Sequence, residues 1–221
     1  MAESDTTSHK LLINIGFNKG YNFAIWSNLF APWTKITAFK WFNAIDKTEL
    51  YKDWRESCGK CKDCFAKINE SKWKHSQLDT YIQMIGIDMN VKNVELVNKV
   101  KSNLLNMPEI NFNSINFTTL LAGGSNNVSE IYLPVCNLGD EACSLSDAGS
   151  GYTSSSSNST TTTTSTLNVP NITDSIVRVP LVTVEKLVSD IDSDLGLQSG
   201  GHVVDILLID TEGHDPLVLE G

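Results

Sequence analysis

The chain has neither an excess of positive charge nor a long apolar run, and each absence excludes a class of function. Its 221 residues include 17 Lys and Arg against 26 Asp and Glu, a formal net charge of -9. An acidic chain repels phosphate backbones, which argues against nucleic acid as a partner. No apolar run reaches the roughly 20 residues that a membrane-spanning helix needs, so we predict no membrane span.

A targeting signal is also missing from the N-terminus. Residues 1–10, MAESDTTSHK, are polar and lack the basic-then-apolar order of a signal peptide. We therefore predict a flexible leader at 1–10 and a cytoplasmic location. The chain has 5 cysteines, and this odd number, together with that N-terminus, argues against a disulfide framework.

Three well-known sequence signatures do not occur in the chain. Without a GxxxxGK[ST] phosphate loop an ATPase is disfavoured, and without GxGxxG a dinucleotide dehydrogenase is disfavoured as well. Without a GxSxG elbow an α/β-hydrolase would have no nucleophile.

What the sequence does contain is the pattern of an α/β domain over residues 11–221. LLINI at 11–15 is typical of a buried parallel strand, and a glycine-containing loop and the helical pattern FAIWSNLF follow it. KITAF at 35–39 is interpreted as the second strand, which completes a βαβ unit. The pattern predicts further helices over 91–106 and from Val184, and further strands over 115–122, 130–136, 176–184 and 203–210.

Two segments interrupt this pattern. Residues 46–75 are charged and carry three cysteines, which indicates an insertion or an irregular helical segment. Residues 149–168 are mostly Ser, Thr, Gly and Asn, a composition that cannot bury enough apolar area to offset its ordering entropy, so we predict a disordered loop. The sequence predicts a helix from near Pro216 and stops at Gly221, so we expect the sheet to be incomplete at its C-terminal side.

The glycine loop, defined here as Gly16-Phe17-Asn18-Lys19-Gly20, lies between the first strand and the first helix. Glycine permits positive φ and close backbone approach to a ligand, and the helix N-terminus offers free N–H groups. Doubly wound proteins bind nucleotides at this position. Taken alone, the loop fits a simple strand-to-helix turn equally well.

A second candidate site follows the strand at 203–210. Asp210-Thr211-Glu212-Gly213-His214-Asp215 places four ionisable groups within six residues. Carboxylates there can orient a substrate, ligate a metal or act as a base, and His titrates near neutral pH. The alternative is a turn that caps the next helix, with acidic residues suited to the helix dipole. Asp210 also suits a structural hydrogen bond to the glycine-loop backbone.

The cysteine cluster Cys58, Cys61 and Cys64 has the spacing of metal ligands. Thiolates at this spacing can share Zn²⁺ or an iron–sulfur cluster, and a structural zinc would need a fourth ligand from His75, Cys136 or Cys143. A complete CxxC…CxxC pattern is absent, so exposed thiols or a local disulfide are the alternatives.

Four segments, in this order along the chain, resemble motifs of the FkbM-type methyltransferases: INIGFNKGYN, INFTTLLAGGSNNVSEIYLP, VRVPLVTVEKLVSD and VVDILLIDTEGHDPLVLEG. The Asp-x-Glu-Gly-His of the last segment is the most specific. The resemblance implies a doubly wound, Rossmann-like class I methyltransferase sheet with S-adenosyl-L-methionine at the first glycine loop. It also implies methylation of a hydroxyl, here on a small-molecule or glycan acceptor.

The same resemblance assigns roles to individual residues. The cofactor would be lined by Asn14, Gly16, Phe17, Asn18 and Gly20. The substrate side would be formed by Asp210, Glu212 and His214. Among these three, His214 or Glu212 would handle the hydroxyl proton, and Asp210 would orient the reacting groups.

The sequence departs from the family pattern at four positions. Asn14 stands where the family usually has Asp, Leu208 where Lys is frequent, and Asp215 where Glu is usual. Lys40 stands near the end of the predicted second strand, where an acidic residue normally accepts hydrogen bonds from the cofactor ribose, and lysine cannot accept them. Two other hypotheses therefore stand beside an active enzyme. One is a catalytically inactive or truncated methyltransferase-like binding protein, and the other is a metal-stabilised interaction domain built on the cysteine insertion.

Overall fold

The main sheet has four parallel strands. The computed structural model describes residues 8–49, 80–136, 138, 176–194 and 203–210. The strands of the main sheet are β1 (Ser8–Ile15), β2 (Thr80–Asp88), β3 (Ile115–Leu121) and β7 (Val204–Ile209), and they lie in the order β3-β2-β1-β7. A smaller sheet in the order β4-β6-β5 contains β4 (Gly123–Gly124), β5 (Ser129–Pro134) and β6 (Ile176–Val182).

Helices cover both faces of the main sheet. They are α1 (Tyr21–Phe30), α2 (Ala38–Asp46), α3 (Val91–Leu105) and α4 (Val184–Asp194), with a 3-10 turn at Pro32–Thr34. Helices α1, α2 and α3 share one apolar core with Leu12, and α4 contributes Leu187 to a second core with Leu11 and Ile13. From Leu11 to Ile15 both faces of β1 are buried, and this stretch is accordingly apolar apart from Asn14.

The strand order places a topological switch point between β1 and β7. The chain first adds β2 and β3 on one side of β1, and then returns to add β7 on the other side. In open parallel sheets, ligands bind outside the carboxyl ends of the strands at such a point. The structure therefore confirms a mixed α/β architecture, a central parallel sheet flanked by helices, that is compatible with a Rossmann-like fold.

The prediction of a strand at 35–39 is wrong. Lys35 has a left-handed backbone (φ 58), and α2 begins at Ala38. The hydroxyl of Thr37 accepts a hydrogen bond from the backbone N–H of Lys40 at 3.2 Å and so caps the helix. The β-branched pair at 36–37 suggested a strand, but Ile36 is fully buried and Thr37 serves as the cap.

The true second strand, β2, was missed. It pairs with β1 from Ser8–Thr80 to Ile15–Ile87, so β1 also takes in the last three residues of the predicted leader. The other predicted elements within the described residues are confirmed. The helix at 91–106 is α3, and the strands at 115–122, 130–136, 176–184 and 203–210 are β3, β5, β6 and β7.

The join between β1 and β7 contains an irregularity at Asp205. Leu11 pairs with Val204 and Leu12 with Ile206, so Asp205 bulges out of the ladder. Its carboxylate accepts a hydrogen bond from the backbone N–H of Leu11 at 2.9 Å and forms an ion pair with Lys10 at 3.1 Å. A side chain thus replaces a ladder hydrogen bond at this point.

Several predicted segments lie outside the described residues. They are residues 1–7 of the leader, residues 50–75 of the cysteine insertion, the Ser/Thr loop at 149–168, and residues 211–221. In the part of the chain that is described, no helix has the length and apolar character needed to cross a membrane.

Gly86 offers a test of the core beneath the glycine loop. A Cβ at Gly86 would lie 2.5 Å from the ring of Phe23, which is fully buried. We expect Gly86→Ala to lower the free energy of unfolding by about 1–3 kcal/mol, as overpacking of a core does. Urea denaturation measures this, with Gly123→Ala as the matched control. Its Cβ would meet the ends of Leu181 and Met89, flexible side chains that can move. Equal losses for the two variants would contradict the proposed packing.

Candidate functional site

Backbone hydrogen bonds bring three chain segments together at the carboxyl ends of the strands. The N–H of Gly16 donates to the carbonyl of Ile87 at 2.8 Å, and the N–H of Asp210 donates to the carbonyl of Ile15 at 2.9 Å. The glycine loop therefore leaves the sheet between the ends of β2 and β7. We call this region the carboxyl edge.

The glycine loop has a tightly turned backbone. Gly16, Asn18 and Gly20 all have positive φ, at 79, 50 and 71 degrees. Glycine adopts such values without strain, whereas asparagine does so at some cost, although less than most residues. The turn is closed by the N–H of Gly20, which donates to the carbonyl of Phe17 at 2.8 Å.

Two of the predicted cofactor-lining residues make their contacts with the core. The ring of Phe17 is buried and lies 5.8 Å from that of Phe23, centroid to centroid. A Cβ at Gly20 would come within 2.8 Å of Val97 and 2.9 Å of Trp41. The absence of a side chain at Gly20 thus allows α2 and α3 to approach the loop closely. Phe17 anchors the loop to the sheet.

Asn14 is a buried polar residue in the middle of β1. It has no exposed surface, and neither its Oδ1 nor its Nδ2 has a hydrogen-bond partner among the residues that the structure describes. Its register neighbours are Gly86 on β2 and Leu208 on β7. Two departures from the family pattern, Asn14 and Leu208, are therefore adjacent across the β1–β7 join. Neither of these two neighbouring side chains carries a charge.

Asp88 is the last residue of β2. It was not identified from the sequence as a site residue, because that strand was not predicted. Its Oδ2 accepts from the backbone N–H of Asn18 at 2.8 Å, and its Oδ1 accepts from the backbone N–H of Asn90 at 2.8 Å. The side-chain amide of Asn93 lies 3.3 Å from both oxygens. Burial raises the pKa of Asp88 to about 6, although these hydrogen bonds act in the opposite direction.

Lys40 does not occupy the end of the second strand, so that prediction is wrong. It lies on α2 and forms an ion pair with Glu109 at 3.8 Å. Both residues line a groove of about 610 Å³ with Phe39 and Met107, at the far end of α3 from the glycine loop. The residue that ends the second strand is Asp88, a carboxylate.

Lys19 is a second polar residue that sequence reasoning passed over. The residue is 3% exposed, although it lies in a loop, and its carbonyl accepts a hydrogen bond from the indole of Trp41 at 2.9 Å. A lysine next to a glycine gives no sequence signal of burial, because the burial depends on α2 packing over the loop.

Of the predicted substrate-side residues, the structure describes Asp210 alone. Asp210 is exposed at the end of β7, and its backbone contacts β1 at the carbonyl of Ile15 rather than the glycine loop. Glu212 and His214 lie outside the described residues.

The structure describes no metal centre. No group of three or more His, Cys, Asp or Glu side chains that could hold an ion occurs in the described ranges. Cys58, Cys61 and Cys64 fall outside these ranges. Cys136 takes part in a disulfide, which the expectation of a chain without a disulfide framework did not anticipate, so Cys136 is not available as a thiolate ligand.

Comparisons with known proteins gave no relative. No protein-family model matches the chain, and neither the curated proteins nor the solved structures that were searched contain a match. Inferences about function therefore rest on the geometry of the carboxyl edge and on the sequence motifs that meet there.

Asn14 and Leu208 allow a test of the β1–β7 join. We expect Asn14→Asp alone to destabilise the protein by about 3 kcal/mol, because it buries an unpaired charge. Adding Leu208→Lys supplies a partner and should recover about 1–2 kcal/mol of that loss. Denaturant unfolding of both single variants and the double variant measures this coupling. Asn14→Leu is the control, and it should be neutral or stabilising because it removes an unsatisfied amide. Strictly additive losses would show that the two side chains do not meet.

Asp88 predicts a dependence of stability on pH. Its pKa is about 6 in the folded chain against an ordinary value of 3.8, so between these values the folded state binds more protons than the unfolded state. The free energy of unfolding should fall by about 3 kcal/mol as the pH rises through this window, and then level off. Urea denaturation at a series of pH values measures the slope, and Asp88→Asn should lack this part of it. Parallel curves for the two proteins would contradict the raised pKa.

Proposed function

We propose that this chain is an S-adenosylmethionine-dependent methyltransferase of the FkbM type that methylates a hydroxyl on a small molecule or glycan. The observation that carries the proposal is the adjacency of β1 and β7. These strands carry the first and last segments that resemble the family, and Ile15 and Ile209 are register partners at their ends. The glycine loop and the Asp210 segment therefore leave the sheet side by side.

The position of the site supports a nucleotide-like ligand. The glycine loop follows β1 at the topological switch point, and α1 begins directly after it at Tyr21. A helix N-terminus and a turned backbone together present N–H groups to a polar ligand. Asn18 also has a buried Oδ1 without a partner among the described residues. An unsatisfied buried acceptor in such a loop fits a ligand with hydrogen-bond donors.

Asp88 removes one of the departures that counted against cofactor binding. The resemblance calls for an acidic residue at the end of the second strand, and the lysine expected there was an error of strand assignment. With β2 as the second strand, a carboxylate stands at its end. The residue type at this position therefore agrees with the family pattern.

The chemistry assigned to the chain is methyl transfer by in-line displacement. S-adenosylmethionine would supply an activated methyl group when bound at the glycine loop. The protein's part is to align the acceptor hydroxyl and to remove its proton as the oxygen–carbon bond forms. We assign the proton to His214 or Glu212 and the orientation of the acceptor to Asp210, since these residues follow the strand next to the loop.

A methyltransferase-like protein that binds without turnover is the second candidate. The observation that favours it is the uncharged pair Asn14 and Leu208 beneath the loop, where the family pattern has charged residues. Such a protein would bind S-adenosylhomocysteine and show no transfer to any acceptor.

Calorimetric titration of S-adenosylhomocysteine into the full chain tests the proposal. We expect a dissociation constant in the micromolar range, and a loss of at least about tenfold with Gly16→Val, because a β-branched residue is strained at positive φ and crowds the ligand. Lys40→Ala is the control and should bind as the parent does, since Lys40 lies at the other end of α3. Circular dichroism shows whether each variant is folded. An absence of binding by the parent chain, or a loss with Lys40→Ala, would contradict the proposed site.

A further inference from the structure

The carboxylate of Asp88 joins three segments of the carboxyl edge. Asp88 itself ends β2, Asn18 belongs to the glycine loop, and Asn90 and Asn93 belong to the start of α3. The loop and the helix thus share one acceptor. A single side chain links the loop to the start of the helix.

This carboxylate has little capacity left for a ligand. A carboxylate offers about four lone-pair sites. Four contacts from protein N–H groups fill these sites. The backbone nitrogens of Asn18 and Asn90 each lie 2.8 Å from one carboxylate oxygen, and the side-chain nitrogen of Asn93 lies 3.3 Å from both oxygens. Asp88 is also only 8% exposed. A ligand hydroxyl would reach it only by displacing a protein donor.

We propose that Asp88 is a positioning residue of the nucleotide site, which holds Asn18 and the glycine loop in the binding conformation without itself contacting the ligand. The inference rests on the proposed function for the identity of the ligand. It departs from the family pattern, in which the acidic residue at this position accepts hydrogen bonds from the cofactor ribose.

Asp88 stabilises a strained backbone conformation at Asn18 in the glycine loop. Asn18 has φ 50, in the left-handed region that non-glycine residues adopt at a cost. Its backbone N–H donates to a buried, ionised acceptor, and such charge-assisted hydrogen bonds are stronger than those between neutral groups. The hydrogen bond offsets the strain and keeps the remaining loop N–H groups in one arrangement.

Protonation of Asp88 would break this arrangement. Every group in contact with the carboxylate is a donor, so an added proton has no acceptor and one contact must be lost. Asn90 is fixed because its side chain caps α3 by accepting from the N–H of Lys92 at 3.0 Å, whereas Asn18 lies in a loop. The charged side chains on these elements are Lys19 in the loop and, on α3, Lys92, Glu95, Lys99 and Lys101. None of them acts on the pKa of Asp88, which burial raises and the three asparagine contacts lower.

The first test is a pH titration of the backbone amides by NMR on the full, ligand-free chain. The Asn18 amide should titrate with a midpoint near the pKa of Asp88, about 6. The matched control is the Asn113 amide, which donates to the side chain of Asn111 at 2.9 Å and should not move in this range. The parent chain alone gives this result, so it does not depend on whether Asp88→Asn folds. An Asn18 amide that does not titrate would overturn the proposal.

The second test separates a positioning role from a ribose contact. The affinities of S-adenosylhomocysteine and of its 2′,3′-dideoxy analogue are measured for the parent and for Asp88→Asn. If Asp88 positions the loop, both ligands should lose affinity by the same factor, about tenfold, with the loss growing below about pH 6 in the parent. A loss confined to the ligand that carries the hydroxyls would overturn the proposal. An Asn18 amide that titrates in a chain that binds neither ligand upholds the role of Asp88 in the loop and counts against the methyltransferase proposal instead.

Discussion

The pairing of β1 with β2 on one side and β7 on the other is the constraint on which the carboxyl edge depends. The ladders place Ile15 beside Ile87 and Ile209, and the hydrogen bonds of Gly16 and Asp210 extend both ladders by one step. The chain can then turn sharply only after Gly16. The position of the glycine loop, the burial of Asn14 and the reach of Asp88 to the loop all follow from this register.

The carboxyl edge carries polar groups that work against stability. Asn14 is buried without a partner among the described residues. Burial also disfavours the ionised form of Asp88. Around them, the rings of Phe23, Trp41 and Phe117 form a packed aromatic cluster, with neighbouring centroids 5.7 to 6.1 Å apart. The apolar core thus supports an edge that a purely structural sheet would not need, and this is typical of a binding site.

The sequence allowed prediction where one element's own pattern decides its structure. The apolar runs of β1 and β7 and the helical spacing of α3 each identify their element, and the glycine loop was placed between a strand and a helix because glycine marks such turns. Prediction failed where distant residues decide. Ile36 does not belong to a strand but packs into the core that α1, α2 and α3 share, and β2 was missed beside a charged insertion. The role of Asp88 depends on Asn18, and that contact spans 70 positions in the chain.

The bulge at Asp205 has a consequence for how the protein folds. Its carboxylate meets the N–H of Leu11 across 194 positions of sequence, whereas β1, α1 and α2 are close neighbours along the chain. Loop closure over such a distance must precede any gain from the contacts it forms, so docking of β7 is expected to be a late and slow step. Before that step the glycine loop can form, but Asp210 at the end of β7 does not yet lie beside it. Since synthesis delivers β7 after every other described strand, a complete carboxyl edge would exist only in molecules that had finished folding.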